Sequence, residues 1–301
     1  LRYVGVFGRA LDVSATLYAT RFHRDWFKLD AVSDGLADDV DTDDDGIADA
    51  DRTVSISSLL ADPVLYADEL AVARGEGAPA EAILAIKSND RRYRAEGLDL
   101  TAGLRAAPGV HLRTGLRLHR DDADRFQHTD LYALRGRALE QTEAGTPGGA
   151  GNRIDRAEAM AGFAEATLER GRLTLTPGLR VDHLRQSRED YGASDPDRLG
   201  DPSTQENTTT ALIPGLGVRY DATASLAVFG GVHRGFAPGT SKPGVEPERS
   251  VNAEAGLRTQ RGDALAVQAV GFATWYDNLL GADFASSGGQ GTGEVFNGKE
   301  L

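Results

Sequence analysis

Residues 41 to 49 hold the sharpest chemical spacing in the chain. Asp41, Asp43 and Asp45 alternate, and Gly46, Ile47 and Asp49 follow. Calcium takes about six to eight oxygen ligands, and carboxylates at alternate positions converge on one ion, while the glycine allows the sharp turn between them. In a calcium site here Asp41, Asp43 and Asp45 bind through their side chains, Ile47 through its backbone carbonyl, and Asp49 directly or through water. Position twelve of this loop is Arg52, where an EF-hand supplies a bidentate glutamate. Asp51 or a residue further off then has to complete the shell. The other reading of the same residues is a solvated acidic loop.

A second group of side chains suits an anion. Arg135, Arg137 and Arg153 fall in or beside the stretch 122–154, and Arg234 and Lys242 lie around the link 236–248. Gln127, His128 and Gln141 add polar donors. Guanidinium forks hold carboxylates through paired, charge-assisted hydrogen bonds. Arg135, Arg137, Arg153 and Arg234 are therefore candidate ligand-binding residues for an anionic chelate, against the plainer reading of solvated loop charges. Catalysis finds no comparable support. His23, His111, His119, His128, His183 and His233 are scattered, and His111 and His119 share a strand face too far apart to hold one metal. No zinc-protease, phosphate-loop, nucleophile-elbow or dinucleotide motif occurs, so the reading is not an enzyme.

The elements that carry these residues are legible from composition and period. The 301 residues carry a net charge of −13, with ten aspartates between Asp30 and Asp51 and no lysine or arginine among them. An acidic chain lacks the basic footprint that nucleic acid requires. Cysteine is absent, which removes disulfides and cysteine chemistry together. No apolar run reaches the length of a membrane-spanning helix, yet a transmembrane barrel turns only every second residue to lipid. Period two dominates. Leu173, Leu175, Pro177, Leu179 and Val181 alternate with Thr174, Thr176, Gly178, Arg180 and Asp182. Leu212, Pro214, Leu216, Val218 and Tyr220 alternate with Ile213, Gly215, Gly217, Arg219 and Asp221. Strict alternation of this length specifies strand.

Ten strands are expected near 1–8, 11–24, 91–106, 110–121, 155–169, 172–186, 207–221, 224–235, 249–261 and 264–278. Short links at 8–10, 107–109, 171, 222–223 and 262–263 alternate with long ones at 25–90, 122–154, 187–206, 236–248 and 279–295. That places tight turns on one rim and long loops on the other, as in an antiparallel up-and-down transmembrane β-barrel with short periplasmic turns and long extracellular loops. Within the loop 25–90, residues 64–73 and 80–86 are expected as short helices. On the polar face Arg113, Arg117, Arg180 and Arg219 are expected to pair with Asp99, Asp182, Asp221 and Glu254, because lumenal charge needs partners. A soluble antiparallel sheet with its apolar face on a core is the competing fold.

The stretch LIPGLGVRYDATASLAVFGGVHRGFAPG, Leu212 to Gly239, resembles the barrel of TonB-dependent receptors, where a PGLGVRY strand, a short turn and an RGF-P strand recur together. Pro247 to Arg258, PERSVNAEAGLR, and Phe272 to Leu280, FATWYDNLL, are similar to later strands of that family, and Arg92 to Asp99 to its strand openings. The YDNLL strand and glycine-rich loop look most like ferric dicitrate receptors. The resemblance implies an all-β, partial barrel over 1–301, about ten strands of one with about 22, carrying an acidic loop insertion at 25–90. The family's plug domain is read as absent and both ends as cut. It further implies an outer-membrane receptor of a Gram-negative bacterium, monomeric when complete. Such a receptor takes up a ferric chelate, a siderophore or ferric citrate, and is driven by the inner-membrane energy-transducing complex through the plug. The alternative is a calcium-stabilised extracellular β-domain for adhesion or carbohydrate binding.

Overall fold

A computed structural model of the chain describes residues 1–33, 53–76, 82–135, 138–262, 265–282 and 295–298. In chain order the strands and helices are β1 (Arg2–Phe7), β2 (Leu11–Arg24), β3 (Phe27–Ser33), β4 (Val54–Ser55), α1 (Ile56–Ala61), α2 (Ala67–Ala73), β5 (Ile83–Ser88), β6 (Arg91–Ala107), β7 (Val110–Arg135) and β8 (Ala138–Glu143). Then follow β9 (Gly151–Arg170), β10 (Leu173–Asp190), β11 (Ser203–Asp221), β12 (Leu226–Ala237), β13 (Glu248–Arg261), β14 (Leu265–Asp277), β15 (Leu279–Ala282) and β16 (Val295–Gly298). Fourteen strands join in one antiparallel sheet whose main path is β1-β2-β6-β7-β9-β10-β11-β12-β13-β14. These are the ten expected strands, in order. The sheet is not closed: among the described residues β1 pairs only with β2, and β14 only with β13.

The tight turns all fall on one rim. Gly8, Gly109, Gly171 and Gly262 hold positive φ in four of them, the left-handed backbone that a short hairpin turn needs and a β-carbon resists. The fifth is closed by Thr223, whose hydroxyl oxygen accepts from the Ser225 and Leu226 amides.

Opposite the turns the strands overrun the expected boundaries. β7 continues to Arg135 and β9 starts at Gly151, so the loops are shorter than the sequence suggested. Of the residues 80–86 expected as helix, 80–81 lie outside the described residues and 83–86 are instead part of strand β5 (Ile83–Ser88). It pairs with β3 on one side and β7 on the other, and that two-sided ladder outweighs local helix propensity. Residues 64–73 are helical only from Ala67. Together β4, β3, β5, β7 and β8 make an extension above the barrel wall. Its core of Val32, Val72, Ala82 and Leu84 is joined by Leu29, Ile56, Tyr132 and Leu134.

Among the described residues the barrel wall has no core of that kind. Its apolar residues line up across strands on one face. Leu17 stands opposite Leu98, Leu98 opposite Leu118, and Leu118 opposite Met160. Val181 faces Leu212, and Leu216 faces Val232. They stay exposed, Leu116 at 39% and Leu212 at 53%, as lipid-facing residues of a barrel must. The other face carries ion pairs. Arg117 meets Asp99 at 3.6 Å, and Arg180 and Arg219 meet Asp182 and Asp221, each at 2.7 Å. Arg113 meets Glu165 at 3.9 Å rather than Glu254, because β9, not β13, is hydrogen-bonded beside β7.

Candidate functional site

Above the last apolar rung the polar face turns basic. Arg24 stands opposite Arg91, Arg91 opposite Arg125, and Arg125 opposite Arg153. Four arginines thus form one row across β2, β6, β7 and β9. Each is an even number of residues from a polar-face position of its own strand, such as Tyr18, Asp99, Arg117 and Ala161, so all four point to the lumenal side. Arg188 on β10 joins them diagonally, and Asp190 ends the row opposite Arg153. Like charges directly opposed across strands are destabilising, so this row is unfavourable unless something anionic offsets it.

Asp155 is the carboxylate at its centre. Arg188 Nε donates to Asp155 Oδ1 at 2.7 Å, while Arg125 Nε and Arg153 Nε stand 3.3 and 3.4 Å from Oδ2. The latter two contacts lack hydrogen-bond alignment. Among the described residues, the buried Nε atoms of Arg24, Arg91, Arg125 and Arg153, with Asp155 Oδ2, meet no hydrogen-bond partner. Burial, then repulsion from Arg153, lowers the Arg125 pKa to about 10. Burial and the Arg188 charge likewise lower that of Arg153. Lys87, opposite Lys28 on β3, is lowered first by burial, which the Asp30 charge opposes and the charges of Lys28, Arg91 and Arg153 reinforce. All these groups stand above the apolar band.

The row is braced from behind. Arg198, in left-handed backbone at φ 55°, lies between the Phe126 and Tyr191 rings at 5.0 and 5.3 Å. It donates to Asn152 Oδ1 and Asp124 Oδ1, both at 2.6 Å. Asp124 and Asn152 each precede an arginine of the row. Inside, Gln127 donates to Asn89 Oδ1 at 2.8 Å, tying the start of β6 to β7.

Of the residues picked from sequence, Arg153 lies in this row. Arg135 ends β7 and is paired with Glu140 at 2.8 Å in the β7–β8 hairpin. Arg234 lies opposite Val251 and two residues beyond Val232, on the outward face. Arg137 lies outside the described residues. So do Asp41, Asp43, Asp45, Ile47 and Asp49, whose segment leaves from β3 and returns to β4 where Val32 and Val54 pair. Among the described residues no group of three or more acidic or histidine side chains could hold a metal. Arg24, Arg91, Arg125 and Arg188 were missed. The one available signal was that Arg91 and Arg125 are equidistant from the turn at Pro108, which makes them hairpin partners.

A family model described as TonB dependent receptor-like, beta-barrel, matches residues 7–299. No curated protein matches in sequence. Among solved structures, the unliganded ferric citrate transporter FecA shares 15% identity at a TM-score of 0.57, over 92% of this chain and 34% of that one. The copper transporter OprC shares 15% at 0.56, over 93% and 38%. The siderophore receptor PiuA from Acinetobacter baumannii shares 11% at 0.58, over 93% and 40%. At such identities the likeness speaks for the fold, and the chain spans between a third and two-fifths of these relatives. The family is one of outer-membrane receptors, and these solved relatives are transporters and a receptor by name. The open ten-strand meander, its exposed apolar face and the family match agree, and the chain belongs to the TonB-dependent receptors as part of their β-barrel.

Proposed function

We propose that the arginine row is the ligand-capture site of an outer-membrane receptor that takes up an anionic ferric chelate. The observation that carries this is the in-register set Arg24, Arg91, Arg125 and Arg153, with buried donors facing the lumen and Asp155 as its central carboxylate. A chelate bearing free carboxylates accepts from those donors and offsets the repulsion among them. Import is the work of the whole receptor, a monomer in a Gram-negative outer membrane, driven by the inner-membrane energy-transducing complex through the plug. The family match leaves the adhesion reading without support.

Titration of the complete receptor with ferric citrate and with a neutral ferric hydroxamate tests this. The double substitution R125A/R153A should weaken ferric citrate binding by about 100-fold, roughly 2.7 kcal/mol, and leave the neutral chelate unchanged. Equal loss for both, or none for citrate, overturns the reading.

Calcium at Asp41, Asp43, Asp45, Ile47 and Asp49 belongs to the same proposal, as an order-promoting ion in an external loop. Its support is the alternating carboxylates of Asp41, Asp43 and Asp45 followed by Gly46. Calorimetric titration should show calcium binding that Asp43→Ala abolishes; a parent chain that binds none refutes it.

A further inference from the structure

We infer that the chelate captured by the arginine row carries a protonated amine, held in a second lumenal cleft where β10 and β11 meet their connecting loop. The inference rests on the capture reading of the row and names the other half of its substrate. The cleft measures about 460 Å³ and is lined by Arg188, Asp190, Tyr191, Asp201, Ser203 and Gln205. That volume lies within the range of about 300–1,000 Å³ usual for small-molecule sites. Arg188 stands opposite Gln205, and Asp190 opposite Ser203. These four are an even number of residues from the lumenal Arg180 or its partner Ile213, so they point to the same side as the row.

Donors and acceptors are segregated across this floor. The orphaned arginine donors lie on β2, β6, β7 and β9, whereas two buried acceptors without a partner among the described residues, Asp155 Oδ2 and Gln186 Oε1, lie at β9 and β10. Gln186 is flanked by Ala157 and Asn207. Ala157 has no donor, and the Asn207 amide donates to the Thr240 and Val245 carbonyls at 2.9 and 2.8 Å. Beyond Gln186 the cleft adds carboxylates. Asp190 Oδ1 accepts from the Gly192 amide at 3.0 Å, and the other oxygen meets no donor among the described residues. Asp195 accepts from the Leu199 and Gly200 amides, each at 2.9 Å, which folds the loop back and returns Asp201 to the cleft. Among the described residues the Asp201 carboxylate has neither an ion pair nor a hydrogen bond. The cleft's own cation, Arg188, is turned to Asp155, to which its Nε donates at 2.7 Å.

An ammonium is the occupant this lining fits. It has three N–H donors and no acceptor, and Asp190, Asp201 and the Ser203 hydroxyl are all acceptors. A neutral hydroxyl leaves both carboxylate charges uncompensated. A metal ion such as calcium takes about six to eight oxygens, and among the described residues no group of three or more acidic or histidine side chains could hold one. The sheet also sets the length of the molecule. The centre of the row lies between β7 and β9 and the cleft between β10 and β11, two strand spacings away, about 10 Å. The carboxylate and the amine of one chelate therefore stand about 10 Å apart.

The test is calorimetric titration of the complete receptor with two ferric chelates. One is the ferric complex of citrate joined through a single amide to 1,4-diaminobutane, its terminal amine free. The other is the same complex with that amine acetylated. The free amine should bind roughly tenfold more tightly. D190N/D201N should remove that preference, and R125A/R153A should weaken both chelates by the same factor and keep it. Equal affinities of the two chelates for the unsubstituted receptor overturn the inference, without reliance on any variant, and leave the capture row standing. A preference that survives D190N/D201N overturns it as well. Unchanged binding of both chelates by R125A/R153A overturns the capture reading instead.

Discussion

Asp155 is the residue on which the lumenal row turns. It sits among Arg125, Arg153 and Arg188 at 2.7 to 3.4 Å and competes with any anion for them. Asp155→Asn should therefore have two opposite effects. Removing a half-buried charge from three cations should cost roughly 2 kcal/mol of stability, read as a lower denaturation midpoint in detergent. Removing the internal competitor should raise the affinity for an anionic chelate several-fold, read by titration. A change of the same sign in both would show that Asp155 only positions the strands. Arg198 illustrates why the row keeps its register. Its stacked guanidinium ties Asp124 and Asn152 together from the outer side, so the backbones that carry Arg125 and Arg153 are held as one unit.

At the scale of elements the hairpin turns decide the strand pairing. Gly109 and Gly171 both hold left-handed backbone, at φ 72° and 62°, but their surroundings differ. A β-carbon at Gly109 would lie 2.6 Å from the Glu169 carbonyl oxygen, while at Gly171 nothing stands within 4 Å. Gly171→Ala should cost about 1–2 kcal/mol, the backbone term alone. Gly109→Ala should cost clearly more, because β9 must shift. Urea unfolding in micelles measures both, and equal costs would mean that the β7–β9 contact is soft. The short helices show the limit of local reading. The segment 83–88 has residues that tolerate helix, yet it lies between β3 and β7 and completes a ladder on both sides, satisfying backbone groups that would otherwise be buried unpaired.

For the whole molecule the controlling fact is where the apolar surface lies. It faces outward along the barrel wall, and among the described residues β1 and β14 each leave one edge unpaired. Exposed apolar faces and open strand edges both drive association in water. The 301-residue chain should therefore sediment as large aggregates in plain buffer and disperse only in detergent. A monodisperse chain that unfolds cooperatively without detergent contradicts a membrane-facing wall. Among the described residues, the enclosed apolar cluster lies in the extension above the wall, around Val32, Val72, Ala82 and Leu84.

Alternation and turn residues alone specify the ten strands, the rim on which they turn, and the apolar and polar faces. Each follows from a local rule: alternation assigns the faces, and a glycine or threonine turn of fixed length sets a hairpin's register. Carried past the expected strand end at 121, that rule pairs Arg91 with Arg125, which the sequence reading left in the long link 122–154. The rest of the row waited on the tertiary structure. Arg24 and Arg91, like Arg125 and Arg153, are joined through long links, and a long loop closes at nearly the same entropic cost for several registers. Only the match of the outward apolar residues across β2, β6, β7 and β9 selects one of those registers, and that selection is what sets four arginines side by side.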